Sequence, residues 1–368
     1  MLTRRTFLKT SGLAGGALLL ARTPLRALAA DVSDARRSAP LRVLILGGTG
    51  FIGPHLVRHA VARGHAVTIF TRGRRDADLP ASVGRLTGDR NGDLRSLEGQ
   101  TWDVVIDDSA TNPDWVRQST ALLRGNVGRY LFTSSTGVHY PYRTRGLDER
   151  ASVQMELADP TDESAAFGVS KARCERLVLD AFGEHGVVVR PTYIVGPGDT
   201  TDRFPYWPQR LARGGETLAP GRRDDPVQCV DVRDLAAFYV TLIEAGRAGV
   251  YDAAGPRAPM TMPQFLDAAR AALGSDARFV QVDDYVLLEK HGITEAIPWG
   301  LLRGNDLGMM SIANAKALGA GLALRPVADT VRDTLAWWGT TPEPRRAAPR
   351  FTLTPEREAA TLAEWKRR

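Results

Sequence analysis

Residues 41–54 read LRVLILGGTGFIGP: strand-forming residues, a glycine-rich turn and the start of a helix. Glycines at 47, 50 and 53 directly after a buried strand are typical of a turn that holds the pyrophosphate of a dinucleotide. The first glycine permits the tight turn, the second lets the ligand approach the backbone, and the third allows close helix–strand packing. The free N–H groups of the first helical turn then face the negative charge. The stretch therefore predicts a dinucleotide site containing Gly47, Thr49, Gly50, Phe51, Ile52 and Gly53.

Apolar runs alternate with helical stretches after this turn. The runs predict strands at 41–46, 66–71, 101–107, 129–134 and 187–190, with helices at 54–63, 114–124 and 167–182. Continuous apolar strands separated by helices indicate a parallel sheet covered on both faces. The expected fold class is α/β, a doubly wound parallel sheet of the Rossmann type.

The later part of the chain predicts a smaller, mainly helical C-terminal substrate lobe. Residues 200–226 are rich in proline, arginine and aromatic residues, and residues 256–330 have helical patterns. The expected dinucleotide-binding domain comprises 41–199 and 227–255, and the lobe comprises 200–226 and 256–338. Residues 339–368 are predicted to form a linker and a last helix, which begins at Thr354-Pro355.

The N-terminus, residues 1–29, predicts an export signal. TRRTFLK at 3–9 resembles the twin-arginine signal, and an apolar run at 11–21 precedes the cleavage pattern ALA at 27–29. That run has about half of the ~20 residues that a spanning helix needs, although an uncleaved anchor stays an alternative. We expect cleavage after Ala29, a polar linker at 30–40, and a periplasmic or otherwise exported protein that meets the membrane only in transit.

Charge gives no indication of nucleic-acid binding. The 368 residues carry a net charge of +6, but the first 30 hold five basic residues and no acid. The remainder has 43 basic against 42 acidic residues, which is close to neutral. His55 and His59 share one predicted helix without a third ligand, so no metal site is predicted.

The residues after the second strand favour NADP as the cofactor. NAD-selective proteins usually carry an acid there, which bonds the ribose 2′-hydroxyl. This chain has Arg72 and Arg75 instead, and guanidinium groups suit a 2′-phosphate. Asp76 and Asp78 follow closely and could bond the ribose hydroxyl of NAD, so NAD stays an alternative cofactor.

Further motifs carry a family resemblance. They are GDR at 88–90, TSS at 133–135, GVSK at 168–171, RP at 190–191, GPG at 196–198 and VDVRDL at 230–235. In this order they resemble the extended short-chain dehydrogenase/reductases, in the atypical epimerase/dehydratase branch that includes the plant chloroplast stem-loop RNA-binding proteins. The resemblance implies a homodimer and cofactor contacts from Asp89 to the adenine, Lys171 to the nicotinamide ribose, and Pro191 to Ile194 on the nicotinamide side. Arg90 is expected in the same site.

The catalytic set of this family is incomplete here. Its chemistry uses a Tyr four residues before a Lys on one helix face, with a Ser on the preceding strand. Ser135 and Lys171 are present, but position 167 is Phe, which has no proton to exchange. One reading is a substitute acid or base among the residues that follow the Ser135 strand, namely His139 and Tyr140 with Tyr142, or at the end of the strand at 101–107, namely Asp107 and Asp108. Another is slow activity supported by Ser135 and bound water.

The predicted substrate side combines aromatic rings with guanidinium groups. Such a surface suits a sugar or flat ring held beside an anionic group. The expected substrate residues are Phe167, Arg203, Tyr206, Trp207, Arg210 and Gln228.

Compartment and motifs together predict a redox-neutral enzyme. An exported dehydrogenase lacks a pool of NADPH, whereas an epimerase or isomerase returns its cofactor to the starting state. We therefore expect epimerisation or isomerisation of a sugar-like small molecule with tightly bound NADP(H). The alternative is an NADP-binding protein without catalysis, which the missing Tyr favours. RNA binding is disfavoured by the near-neutral charge.

Overall fold

The computed structural model describes residues 39–351 and 353–368. The predicted export signal and nearly all of the predicted linker at 30–40 lie outside the described residues. The strands are β1 (Arg42–Leu46), β2 (Ala66–Thr71), β3 (Gly84–Thr87), β4 (Trp102–Asp107), β5 (Val127–Thr133), β6 (Gly186–Pro191), β7 (Ile194–Val195), β8 (Glu216–Pro220), β9 (Val230–Asp231), β10 (Gly249–Ala253) and β11 (Arg278–Val282). The helices are α1 (Ile52–Ala62), α2 (Pro113–Leu123), α3 (Glu163–Phe182), α4 (Tyr206–Ala212), α5 (Val232–Glu244), α6 (Met262–Leu273), α7 (Tyr285–Lys290), α8 (Ala315–Gly319), α9 (Val327–Thr340), α10 (Glu343–Ala347) and α11 (Pro355–Trp365).

In the described part of the chain, seven strands form one parallel sheet in the order β10-β6-β5-β4-β1-β2-β3. Successive residues of β1 point to opposite faces. Val43 and Ile45 pack with α1 and α5, whereas Leu44 and Leu46 pack with α2 and α3. Because helices cover both faces of the parallel sheet, the predicted doubly wound class is confirmed.

The strand order changes direction at β1. This strand pairs with β2 on one side and with β4 on the other, so the connections leave in opposite directions from it. A crevice opens at the carboxyl ends of the strands at such a point, and it is where ligands bind in open α/β sheets. The glycine-rich turn after β1 and the Asp107-Asp108 pair at the end of β4 both lie there.

The apolar runs locate most elements of the sheet to within a few residues. The strand predicted at 66–71 matches β2, and the helix predicted at 167–182 begins four residues earlier, at Glu163. Asp162 determines this start because its carboxylate accepts a hydrogen bond from Ala165 N at 3.0 Å. The predicted set lacks β3, which is short and mostly exposed, and β10, which begins with a glycine.

The C-terminal lobe has its own apolar core, built around Trp207, Phe265 and Trp299. It contains α4, α6, α7, α9 and the parallel pair β8–β11, so the C-terminal region is mainly helical, as expected. Between α7 and α8 the chain is irregular apart from one short 3-10 turn at Gly304–Asp306. Residues 339–368 belong to this lobe, since Leu362 on α11 packs in its core.

Thr354 caps α11 as expected, with its side chain accepting from Arg357 N at 3.3 Å. None of the helices within the described ranges is long and apolar enough to cross a membrane.

Candidate active site

The turn after β1 has the geometry that its glycines predict. Gly47 and Gly48 have φ of 123° and 97°, a region that other residues rarely adopt. A Cβ on Gly53 would lie 2.3 Å from the carbonyl carbon of Gly48, so this glycine is required for the approach of α1 to the turn. A Cβ on Gly50 would meet no protein atom within 4 Å, so packing within the chain does not require a glycine here. Open space beside the Gly50 backbone fits the close approach of a pyrophosphate.

The N-terminus of α1 completes a fit to an anionic ligand. Phe51 precedes the helix and makes no side-chain cap, and the first turn contains no acidic residue. The first backbone N–H groups have no intrahelical acceptor, and the positive end of the helix dipole lies there. These residues can therefore hold the pyrophosphate of a dinucleotide.

The predicted cofactor residues beyond the turn have different surroundings. Arg72 and Arg75 are exposed after β2 and form no ion pair with another described residue. Asp89 follows β3, and its Oδ1 accepts a hydrogen bond from Asn91 N at 3.0 Å. The prediction for Arg90 is wrong, because its guanidinium is buried against Asp107, with N–O distances of 2.7 and 2.9 Å. Arg90 instead compensates the charge of a buried carboxylate beneath the crevice.

One cavity of about 810 Å³ begins at the dinucleotide crevice and continues to the C-terminal lobe. Many of the residues predicted for the site line this cavity. These are Phe51 and Ile52 from the turn, Ser135, Tyr140, Phe167 and Lys171 from the catalytic region, Pro191 and Ile194 after β6, and Arg203.

Ser135, Lys171 and Phe167 lie on the same wall of this cavity. The Ser135 Oγ accepts a hydrogen bond from Gly137 N at 3.0 Å. Lys171 Nζ donates to the Ala110 and Thr133 carbonyls at 2.8 and 2.9 Å, and burial lowers the pKa of this amine. Phe167 is 44% exposed, one helical turn before the lysine. The cavity thus retains the serine and the lysine, and it has an aromatic ring where the family's phenol would be.

Close packing of α3 on the turn at 136–139 determines the position of the Phe167 ring. A Cβ on Gly137 would lie 2.9 Å from Phe167 Cε1, and a Cβ on Gly168 would lie 2.5 Å from the Gly137 oxygen. Because both glycines lack a side chain, one edge of the ring rests on the turn. Its exposed part faces the cavity.

His139 is not a cavity residue, which corrects the prediction of a catalytic histidine. Its side chain is fully buried, and its Nε2 lies 3.0 Å from Asp252 Oδ2. Arg190, Glu175 and Ser134 continue this buried polar network. A ring enclosed in this way has no access to a substrate.

Tyr140 is one of the predicted proton-transfer residues that face the cavity. Its hydroxyl accepts a hydrogen bond from Asn305 Nδ2 at 3.2 Å and donates one to Asp162 Oδ2 at 3.1 Å. The bond from Asn305 lowers the pKa of Tyr140, but burial and Asp162 raise it overall. Tyr140 is therefore a protonated phenol with a carboxylate acceptor behind it. Tyr142 also lines the cavity, and burial raises its pKa.

Asp108 lies where the cavity meets the glycine-rich turn. Burial and the neighbouring Asp107 raise its pKa from 3.8 to about 7, although a hydrogen bond from the Gly48 backbone opposes the shift. A Cβ on Gly47 would lie 1.8 Å from Asp108 Oδ1, so the carboxyl group fits directly against the turn. This group can change its charge near neutral pH beside the predicted pyrophosphate site.

Most of the predicted substrate residues lie elsewhere. Tyr206, Trp207 and Arg210 are buried in the lobe, and Arg210 Nε donates to Glu358 Oε2 at 2.5 Å. Gln228 exchanges two hydrogen bonds of 2.8 Å with the Ile312 backbone. The prediction that these four residues bind substrate is wrong, because each is used in packing or hydrogen bonding within the protein. Phe167 and Arg203 are the predicted substrate residues that line the cavity.

Several cavity residues do not appear in the sequence prediction. Glu163 lies four and eight residues before Phe167 and Lys171, so helical spacing would have placed it on their face. Tyr193 lies between two predicted cofactor residues. Glu295 and Asp306 come from the irregular segment before α8, which has no periodic pattern that places a side chain.

Comparison with known proteins agrees with this architecture. A family model described as the NAD dependent epimerase/dehydratase family matches residues 43–121 and 114–254, more than half of the chain. The chain belongs to this family. Membership confirms the resemblance and implies an enzyme fold of the short-chain dehydrogenase/reductase type.

Curated relatives of this chain are named for different activities. The chloroplast stem-loop binding protein of 41 kDa b from Arabidopsis thaliana is 28% identical over 222 residues, 56% of each chain. The UDP-glucose 4-epimerase of Azospirillum brasilense is 28% identical over 179 residues, 42% of this chain and 49% of that protein. A 2-alkyl-3-oxoalkanoate reductase from Stenotrophomonas maltophilia is 27% identical over 263 residues, 64% of this chain and 76% of that protein. The chain spans only about half the length of the first two proteins.

Solved structures share the fold. WbmG from Bordetella bronchiseptica, in complex with NAD and UDP, superposes with a TM-score of 0.62 at 17% identity, over 87% of this chain and all of that one. A UDP-N-acetylglucosamine 4-epimerase from Methanobrevibacter ruminantium gives 0.62 at 16% identity, over 82% and 99%. At these identities the likeness shows the fold alone.

Proposed function

We propose that this protein is a redox-neutral epimerase or isomerase of a sugar-like substrate that keeps NADP(H) bound. The observation that carries the proposal is the single cavity that joins the glycine-rich turn to Ser135 and Lys171. WbmG, which shares this fold, is solved in complex with NAD and UDP, and this supports a nicotinamide dinucleotide as the cofactor. The exposed Arg72 and Arg75 after β2 support NADP.

The N-terminal sequence supports the redox-neutral part of the proposal. A twin-arginine pattern at 3–9 favours export of the folded protein to the periplasm. That compartment offers no pool of free NADPH, so an enzyme there needs a reaction that leaves its cofactor unchanged.

A bound nicotinamide dinucleotide supplies reversible oxidation of a carbinol carbon. Within the cavity, Ser135 Oγ can hold a substrate hydroxyl, while Lys171 supplies a positive charge beside it. Tyr140 and Asp162 take the place of the missing phenol in proton transfer. Tyr140 receives the proton of the substrate hydroxyl as it passes its own proton to Asp162, and the reverse transfer returns it.

The decisive experiment is native mass spectrometry of protein purified from its export compartment without added cofactor. Retained NADP(H), together with the absorbance of reduced nicotinamide after addition of sugars, is the expected result. Consumption of free NADPH in proportion to product would refute the redox-neutral assignment.

The exposed Phe167 ring favours a second candidate, a dinucleotide-binding protein without catalysis. Two matched variants separate the candidates. In the enzyme, Tyr140→Phe removes the proton acceptor and should lower turnover about 100-fold or more, whereas Phe167→Tyr should retain it. A protein without catalysis shows no turnover in either variant and still binds the dinucleotide.

A further inference from the structure

More acidic than basic residues line the cavity of the proposed enzyme, although one of the acids, Glu289, is paired with Arg303. Its basic lining residues are Lys171 and Arg203, and its acidic lining residues are Asp108, Glu163, Asp199, Glu289, Glu295 and Asp306. Both cations contact uncharged groups of the protein. Lys171 donates to two carbonyls, and the Arg203 guanidinium lies 5.0 Å from the centre of the Tyr193 ring, with its Nε bonded to Thr201 Oγ1 at 3.2 Å.

Asp306 is a carboxylate of the cavity whose charge is poorly compensated. It is partly buried, and we find no hydrogen bond or ion pair from its side chain to another described residue. Burial raises its pKa, and the nearby carboxylates of Glu295 and Asp162 raise it further. A partly buried carboxylate with two acidic neighbours is stabilised by a cation that enters the cavity.

Aromatic rings line the same cavity. Tyr142 and Tyr193 both interact electrostatically with Asp306, and Phe167 exposes its ring to the cavity. Rings combined with carboxylates are the surroundings in which proteins bind ammonium groups. A phosphate beside Asp306 would meet the carboxylates of Glu295 and Asp162 as well.

We propose that the substrate of this cavity is a sugar or polyol that carries a protonated amine and no phosphate. The inference rests on the proposed function, since it names the substrate class of the same site. It separates this chain from similar proteins that are named for nucleotide-sugar substrates.

Binding of matched sugars to the full chain, loaded with NADP, tests the proposal. Glucosamine, galactosamine and mannosamine are each compared with the parent hexose and with its 6-phosphate by calorimetry at low salt. Each amino sugar forms one set with its parent hexose and the 6-phosphate of that hexose. In at least one set we expect the amino sugar to bind about tenfold more tightly than the parent hexose, with no measurable binding of the phosphate. Added salt should reduce the preference.

Asp306→Asn keeps the shape of the side chain and should reduce the amine preference to about twofold or less. Asp180→Asn removes an exposed carboxylate from α3 outside the cavity, and it should leave the preference unchanged. Equal binding of amine and parent hexose in every set, tightest binding of a phosphate, or failure of all three amines to bind would overturn the proposal.

The two proposals fail in different ways. A preference for amines in a protein that retains no cofactor would support the substrate class and refute the redox-neutral assignment. Retained NADP(H) without any preference for amines would support the redox-neutral assignment and refute the substrate class.

Discussion

Replacing Asp108 with asparagine should make the stability of the protein less dependent on pH. The carboxyl group lies against the Gly47-Gly48 turn, and burial and Asp107 raise its pKa from 3.8 to about 7. Between these two values the folded protein holds a proton that the unfolded chain has released. The free energy of unfolding contributed by Asp108 therefore falls as the pH rises through this window, and it is lost above pH 7.

The size of the effect follows from the two pKa values. Each pH unit inside the window lowers the free energy of unfolding by about 1.4 kcal/mol. Wild type should therefore lose roughly 2–3 kcal/mol of unfolding free energy between pH 5 and pH 8 from this group. Asparagine does not titrate, yet its Oδ1 can still accept the hydrogen bond from Gly48. The difference in stability between Asp108→Asn and wild type should shift by that amount in favour of the variant.

Urea unfolding of cofactor-free protein across this pH range measures the difference directly. Asp180→Asn serves as the control, because it removes a carboxylate from the exposed face of α3. A difference between Asp108→Asn and wild type that is the same at pH 5 and pH 8 would refute the argument. Dinucleotide affinity offers a second measurement: it should fall above pH 7 in wild type only, since the ionised carboxylate repels a pyrophosphate.

Two further predictions concern the lobe and the cofactor. Glu358→Gln should lower the free energy of unfolding by about 3–5 kcal/mol, because it leaves the buried Arg210 guanidinium without a countercharge. If chemical denaturation shows a loss of unfolding free energy below about 1 kcal/mol, the pair does not contribute as a buried ion pair should. Arg72→Ala should weaken NADP binding about tenfold and leave NAD binding unchanged, as measured by fluorescence titration. Equal losses for both cofactors would show that Arg72 does not select the 2′-phosphate.

Local sequence patterns were sufficient where the chain's own periodicity determines structure. The strand at 66–71 and the glycine turn at 47–53 depend on neighbouring residues in sequence, and the structure has both as expected. Helical spacing likewise places Phe167 and Lys171 on one face of α3, toward the cavity. The absence of a tyrosine at position 167 is likewise evident from the sequence alone.

The partners of polar side chains required the folded chain. Arginine is a residue type that often binds ligands, so the sequence suggests this role for Arg210. Its carboxylate partner, Glu358, comes from the last helix. His139 likewise meets Asp252 across a large separation in sequence. No local pattern encodes such pairs, because their formation depends on how distant segments pack.

By itself the sequence determined the α/β class, the dinucleotide turn and the presence of Ser135 and Lys171, since each depends on residue type and short spacing. Only the tertiary structure decided which polar residues reach the cavity and which are buried in pairs. It also brought the acidic residues of an irregular segment, Glu295 and Asp306, to the site. The charge of a cavity is a sum over segments far apart in the chain, so it exists only once they have folded together.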